Sequence, residues 1–270
     1  MNSGDPLLSV RGLGKRFGGL SAVSDLDFDL GRGEILAIIG PNGAGKSTTF
    51  GLICGALQLT TGSVTLEGRR VDGLPAHRIA RQGILRTFQH NMPFNGMSLT
   101  DNILVGAHTR MGSSLWSVLA GSRGAAEAER KARDKALDVA RFVGLDGLLD
   151  ADVATLSFGQ GRLLEIARAL AGDPKILLLD EPAAGLTFSE CARLFELIKE
   201  VARRGVSVLL IEHDMHFLMP LAERIVVLNF GKKIAEGSPS DIRTNPAVVE
   251  AYLGNLAAGE NQAGAFHASH

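Results

Sequence analysis

Short, mainly apolar runs recur along the chain at Ile35–Ile39, Ile84–Phe88 (interrupted by Arg86 and Thr87), Ile176–Leu179, Ser207–Ile211 and Ile225–Leu228, each closed by polar or turn-forming residues. Runs of this length predict strands buried on both faces of a parallel sheet, and they are far too short to span a membrane. A different pattern opens the chain. Asp25-Leu26-Asp27-Phe28-Asp29-Leu30 alternates with period two, which predicts a strand with one wet and one buried face over Ser24–Leu30. Leu7–Val10 is its expected neighbour, joined to it by a polar loop around Lys15–Gly19. Val64–Leu66 follows a turn at Thr60-Thr61-Gly62, and Lys232–Glu236 closes the sheet against Ile225–Leu228.

Helical patterns lie between the apolar runs. One is expected from Lys46, one from Pro75, and one from Thr100, with Asp101 and Asn102 supporting its N-cap. After a Gly/Ser-rich interruption over Gly112–Gly124, a helix from Ala125 to Val143 carries charges of alternating sign and reads as a solvated face. Ser157 followed by Gln160 has capping-box spacing, so a helix should start there, to be stopped by Gly172. A further helix is expected over Ser189–Arg204, and Ser238-Pro239 and Asn245-Pro246 open two short ones.

These elements predict an α/β core with a mainly parallel sheet, an antiparallel β region at the N-terminus and an inserted helical subdomain, and Gly40-x-x-x-x-Gly45-Lys46-Ser47 between the first buried run and its helix makes it a P-loop NTPase-type core. The core is assigned to 1–89 and 173–254, the subdomain to about 90–172, and an unstructured tail to 255–270.

The run Ile35–Ile39 leads into Gly40-Pro41-Asn42-Gly43-Ala44-Gly45-Lys46-Ser47-Thr48, the P-loop spacing. Its glycines let backbone N–H groups curl around phosphate, and the following helix adds its positive end. Lys46 is expected to reach the β- and γ-phosphates, Ser47 to ligate Mg²⁺ and Thr48 to bond the α-phosphate. Ile176–Leu179 ends in Asp180-Glu181. Two carboxylates beside a triphosphate call for a cation, so Asp180 is the expected Mg²⁺ residue, through water, and Glu181 the group that polarises the attacking water. His213 also ends a strand, at the sheet edge where ligands gather, and a γ-phosphate contact is expected of it. Phe17, between a basic residue and a glycine, is either an adenine platform or a core residue.

Gly40–Thr48, Gln89, the LSFGQ stretch Leu156–Gln160, Ile176–Pro182 and His213 together resemble the ordered motifs of the ATP-binding cassette ATPases. The likeness runs from about Leu7 to Leu253. It implies ATP and Mg²⁺ as ligands, a metal-sensing role for Gln89, adenine stacking by Phe17, and binding of a second cassette's γ-phosphate by Ser157 and Gly159, with Gln160 in the same helix start. Phe158 stands where many cassettes have Gly, and Thr187 where Asp is usual. Arg86-Thr87-Phe88-Gln89-His90, the helical insertion, Ala183-Ala184-Gly185-Leu186 and Glu250-Ala251-Tyr252-Leu253-Gly254 are similar to the ATPase subunits of branched-chain amino acid uptake systems. That group also serves amides and urea. It implies a second cassette, identical or not, transmembrane permease subunits, indirectly a solute-binding protein, and a place on the cytoplasmic face of the membrane. Met92, Phe94 and Met97 are candidates for contact with the permease, with packing inside the subdomain as the rival reading, and Trp116 reads as local packing.

Composition narrows the alternatives. A net charge of -1 and no basic run interleaved with aromatics give no reason to expect nucleic acid. A soluble cassette acting on DNA or ribosomes is the second reading, but such proteins usually carry two cassettes or a long coiled-coil insertion. A stand-alone P-loop kinase would lack the LSFGQ start. Cys54 and Cys191 are expected as buried thiols rather than a disulfide.

Overall fold

The computed structural model describes residues 5–87, 93–108 and 123–252. The expectations for Phe88, Gln89, His90, Met92, Trp116 and the tail from 253 lie outside the described residues. The chain divides into two compact units, Met1–Leu74 with Leu209–His270, and Pro75–Val208.

The first unit opens with β1 (Leu8–Phe17) and β2 (Leu20–Leu30), continues through β3 (Ile35–Ile39) and α1 (Lys46–Ile53), and adds β4 (Thr61–Leu66) and β5 (Arg69–Arg70). Four of these strands make an antiparallel sheet ordered β2-β1-β4-β5. β1 reaches Phe17 instead of ending at Val10, and the expected loop shrinks to Gly18-Gly19. The polar stretch stays paired because register shifts between Val10 and Arg16 absorb its irregular residues as bulges. Thr61 and Gly62, expected in a turn, likewise belong to β4.

β3 is wholly buried, as its unbroken apolar run predicts. It lies parallel to β9 (Arg224–Asn229), which pairs antiparallel with β10 (Lys232–Gly237). After β8 (Ser207–Ile211) and a short α7 (Met215–Leu218), the unit ends in α8 (Pro239–Thr244), capped by Ser238, and a helix over 246–252. Arg224 ties this region to the N-terminal one, donating to Glu34 at 2.8 Å and to the Asp29 carbonyl.

The second unit holds α2 (Ala76–Gln82), β6 (Ile84–Arg86), α3 (Leu99–His108), α4 (Arg123–Val143), α5 (Phe158–Ala171), β7 (Ile176–Asp180) and α6 (Phe188–Arg203). β6 and β7 run parallel, and α3, α4 and α5 pack on one another. On α4 the charges face solvent while Ala132, Ala136, Ala140 and Val143 form the buried stripe. α3 begins one residue before the expected Thr100, and its cap is Ser98, whose hydroxyl accepts the Asp101 N–H at 3.1 Å. Asn102 is instead fully buried, its amide holding Phe94 and Ser98 backbone groups. α5 ends at Gly172 as expected, but Gly172 has φ −79, and the left-handed residue is Asp173 at φ 50. The short Asp side chain makes that conformation accessible. Cys54 and Cys191 are free but only half-buried.

Candidate nucleotide site

In the first unit the P-loop joins β3 to α1. Gly45 is the N-cap, at φ 101, with no side-chain cap and no acidic residue in the first turn of α1. A Cβ on Gly45 would lie 2.5 Å from the Ala22 carbonyl oxygen, so only glycine fits. The helix start is open to an anion, because its first N–H groups have no helical acceptor. Lys46 is folded onto the loop, its Nζ donating to the Gly40 carbonyl at 2.7 Å and the Pro41 carbonyl at 3.0 Å. Asn42, Gly43 and Ser47 are exposed, Thr48 is half-buried, and Ala44 is buried.

Elements distant in sequence brace this loop. The Gly231 N–H, at the tip of the β9–β10 hairpin, donates to the Ala44 carbonyl at 3.0 Å, and the Gly231 carbonyl accepts from Ser24 at 2.8 Å. Tyr252, on the last described helix, hydrogen-bonds the Gly40 backbone. Burial pushes its phenol up to about 12, against the opposing pull of Gly40. Phe17 ends β1, 47% exposed, with the Lys15 ammonium 4.9 Å from its ring centre. It is therefore no core residue. The His213 side chain is 65% exposed, and its backbone N–H donates to the buried Glu212 carboxylate at 2.9 Å.

In the second unit β7 delivers Asp180, whose side chain is fully buried. Its Oδ2 accepts from Arg86 Nη2 at 2.6 Å, while Oδ1 has no hydrogen-bond partner among the described residues. Glu181 has φ 47, a left-handed conformation that costs a non-glycine residue about 1–3 kcal/mol and tends to collect at functional sites.

α5 starts as its sequence predicts. The Gln160 N–H donates to Ser157 Oγ at 3.2 Å, and Gln160 Oε1 accepts the Ser157 N–H at 2.8 Å. α6 repeats the device: Thr187 is its N-cap and Glu190 completes the box. These bonds to Thr187 hold the Glu190 carboxyl below its usual range. Glu190 also lies against α5, since a Cβ on Gly159 would fall 2.1 Å from Glu190 Oε1. Phe158, 53% exposed, packs over Gly185, and a cavity of about 220 Å³ is lined by Gly159, Gln160, Arg162, Leu186, Glu190 and Arg193. Behind it Arg162 and Glu165 form a buried ion pair at 2.9 Å, and burial pushes the Glu165 carboxyl up against the pull of Arg162. Phe94, 44% exposed, carries the Arg168 guanidinium 4.8 Å from its ring centre, and Met97 is half-buried.

Thus Gly40–Thr48 gather in one unit, and Asp180, Glu181, Ser157, Gly159 and Gln160 in the other. The sequence reading missed Arg86, Glu190 and Tyr252 as parts of these sites. Thr187-x-x-Glu190 did carry the capping-box signal.

Fold and loops together define the class: a P-loop ATPase of the ATP-binding cassette type. The chain belongs to the ABC transporter family, whose sequence profile matches residues 23–184. A second profile, for the branched-chain amino acid ATP-binding cassette transporters, matches residues 232–258. The chain is 44% identical over 250 residues to the high-affinity branched-chain amino acid transport ATP-binding protein LivG of Salmonella typhimurium, covering 92% of this chain and 98% of that one. It is 42% identical over 250 residues to BraF of Pseudomonas aeruginosa, a protein of the same description, with 92% of this chain covered and 98% of BraF. Among solved structures, the ADP conformation of an ATP-binding cassette from an ABC transporter superposes with a TM-score of 0.81 at 30% identity, covering 93% of this chain and all of the other. This chain is accordingly the ATP-binding and hydrolysing subunit of a transport system. Among the described residues no helix is long and apolar enough to cross a membrane.

Proposed function

We propose that the chain powers the import of branched-chain amino acids, as the peripheral ATPase of a membrane transporter on its cytoplasmic face. The observation that carries this reading is the likeness to LivG and BraF over 92% of the chain, joined by the separate match at residues 232–258. Its partners are permease subunits, a second cassette, and a solute-binding protein on the far side.

Mg²⁺ suits the donors that each unit offers by itself: in one, the buried Asp180 Oδ1 is a hard oxygen with no hydrogen-bond partner among the described residues, and in the other Ser47 is exposed at the start of α1. When bound, the ion neutralises charge on the β- and γ-phosphates. Gly40–Gly45 offer backbone N–H groups to the phosphates, Lys46 exchanges its loop carbonyls for them, Thr48 serves the α-phosphate, and Phe17 stacks on adenine. Glu181 takes the proton of the attacking water, His213 contacts the γ-phosphate, and Gln89 reports the metal to the helical segment. Ser157 and Gly159 offer a second anion site, surplus to one nucleotide, which serves the partner cassette's γ-phosphate in a head-to-tail pair.

Reconstitution in proteoliposomes with permease and binding protein tests the substrate. Leucine, isoleucine and valine should stimulate ATP hydrolysis, and Glu181→Gln should slow it by about 10²–10⁴ while ATP still binds. Stimulation by urea or short amides alone would overturn the amino-acid reading. For the head-to-tail pair, mixing a Lys46→Ala chain with a Ser157→Arg chain should restore one intact composite site and some activity. Mixed dimers that form yet recover nothing would overturn that arrangement.

A further inference from the structure

The Asp180 carboxylate is unevenly satisfied. Arg86 Nη2 lies 2.6 Å from Oδ2, and Oδ1 is buried with no hydrogen-bond partner among the described residues. Burying an ionised carboxylate is tolerable only beside a cation with which it is hydrogen-bonded. Arg86, the last residue of β6, is that cation here; its side chain is 20% exposed and that of Asp180 is 0% exposed. A guanidinium does not lose its proton in a protein, so the charge is permanent. A divalent ion approaching Oδ1 therefore meets a carboxylate already half neutralised, with a fixed positive charge on its other oxygen.

We infer that Arg86 is the resident countercation of Asp180 and competes with Mg²⁺ for that carboxylate, so that it sets the Mg²⁺ concentration at which the nucleotide site loads. This rests on the Mg²⁺ assignment proposed above. Arg86 is a positioning residue, which acts through the charge and orientation of Asp180. The pair has two consequences. Without metal, the guanidinium holds the buried carboxylate in place. With metal, part of the attraction is spent against the guanidinium, so the ion is held less tightly than the bare carboxylate would hold it.

Two measurements on the whole chain test this, and neither reads turnover. The first is the affinity for a fluorescent ADP across a Mg²⁺ series. Arg86→Met should lower the Mg²⁺ midpoint by about tenfold or more, the scale on which one close charge shifts an ionic equilibrium. Arg86→Lys, which keeps the charge, should stay near the unmodified chain. A midpoint that is unchanged or raised in Arg86→Met overturns the competition. If ADP affinity in the unmodified chain ignores Mg²⁺, the metal assignment falls and the competition with it. The second is unfolding in EDTA, which reads the countercation alone. Arg86→Met should unfold at lower denaturant, and adding Asp180→Asn should restore stability, because the stranded charge is then gone. A double variant no more stable than Arg86→Met overturns the countercation. Should Arg86→Met not fold, a folded double variant supports the pair, and a double variant that also fails overturns it in favour of a packing role.

Discussion

Two helix starts in this molecule, both proposed above as anion sites, are capped in opposite ways. α1 begins at a left-handed glycine, with no side-chain cap and nothing acidic in its first turn. α5 begins at Ser157, inside a reciprocal box with Gln160. The bare start leaves its N–H groups for a phosphate to satisfy, and the structure around it is held by backbone bonds from the β9–β10 hairpin. The boxed start supplies its own acceptors and stands without a ligand. In the proposed roles, a phosphate completes α1, whereas at α5 it is an addition.

Substitutions can break this contrast from either side. The largest effect is expected from Gly45→Ala. The left-handed alanine costs about 1–3 kcal/mol before the Ala22 carbonyl is met. ADP affinity, measured by fluorescence titration, should fall at least about 100-fold, and an unchanged affinity would show that the bare start is not the phosphate site. Phe17→Ala should cost about 1–3 kcal/mol of ADP affinity with little change in melting temperature, since the ring stands exposed at the end of β1. A fall in melting temperature with affinity intact would make it a structural residue. Ser157→Ala should do the reverse, removing about 1 kcal/mol of stability through the lost cap while ADP affinity in the single cassette stays as it was. A matching loss of ADP affinity would mean that the boxed start serves its own chain's nucleotide.

The smallest effect concerns the brace. Tyr252 is the chain's single tyrosine, so phenolate absorbance reports it alone. In the fold burial raises its pKa to about 12, above the ordinary tyrosine value of 10.0, so the neutral phenol is the form the fold prefers. The corresponding stability is complete below about pH 10 and is lost as pH rises from there through about 12. Absorbance of the folded protein should climb near 12, and a midpoint at the ordinary tyrosine value would place the hydroxyl in water.

The contrast also marks what could be read in the sequence. Both helix starts were legible because each is local: Gly45-Lys46-Ser47 and Ser157-x-x-Gln160 announce themselves within a few residues. The buried strands were legible for the same reason. β1 was cut short because polar residues inside a bulged ladder read as loop, and the pairing that keeps them there comes from β2 and β4. Arg86 gave no sign of its role, since Asp180 lies 94 residues further on and no spacing rule connects them. Tyr252 and Gly231 are in the same position, their importance to the P-loop arising only when the chain has closed. Local chemistry is written in neighbours, and bracing is written in topology.

That bracing has a consequence in time. The Ala44 carbonyl is held by Gly231, whose own carbonyl is held by Ser24, so loop, hairpin tip and β2 are linked in one run of backbone bonds. A loop tied in this way does not open alone: freeing Ala44 means parting it from the hairpin, and the hairpin tip from β2 in turn if the opening spreads. Amide exchange at Gly231 then becomes a clock for the P-loop, ticking at a residue about 190 positions away along the chain that never needs to touch a phosphate.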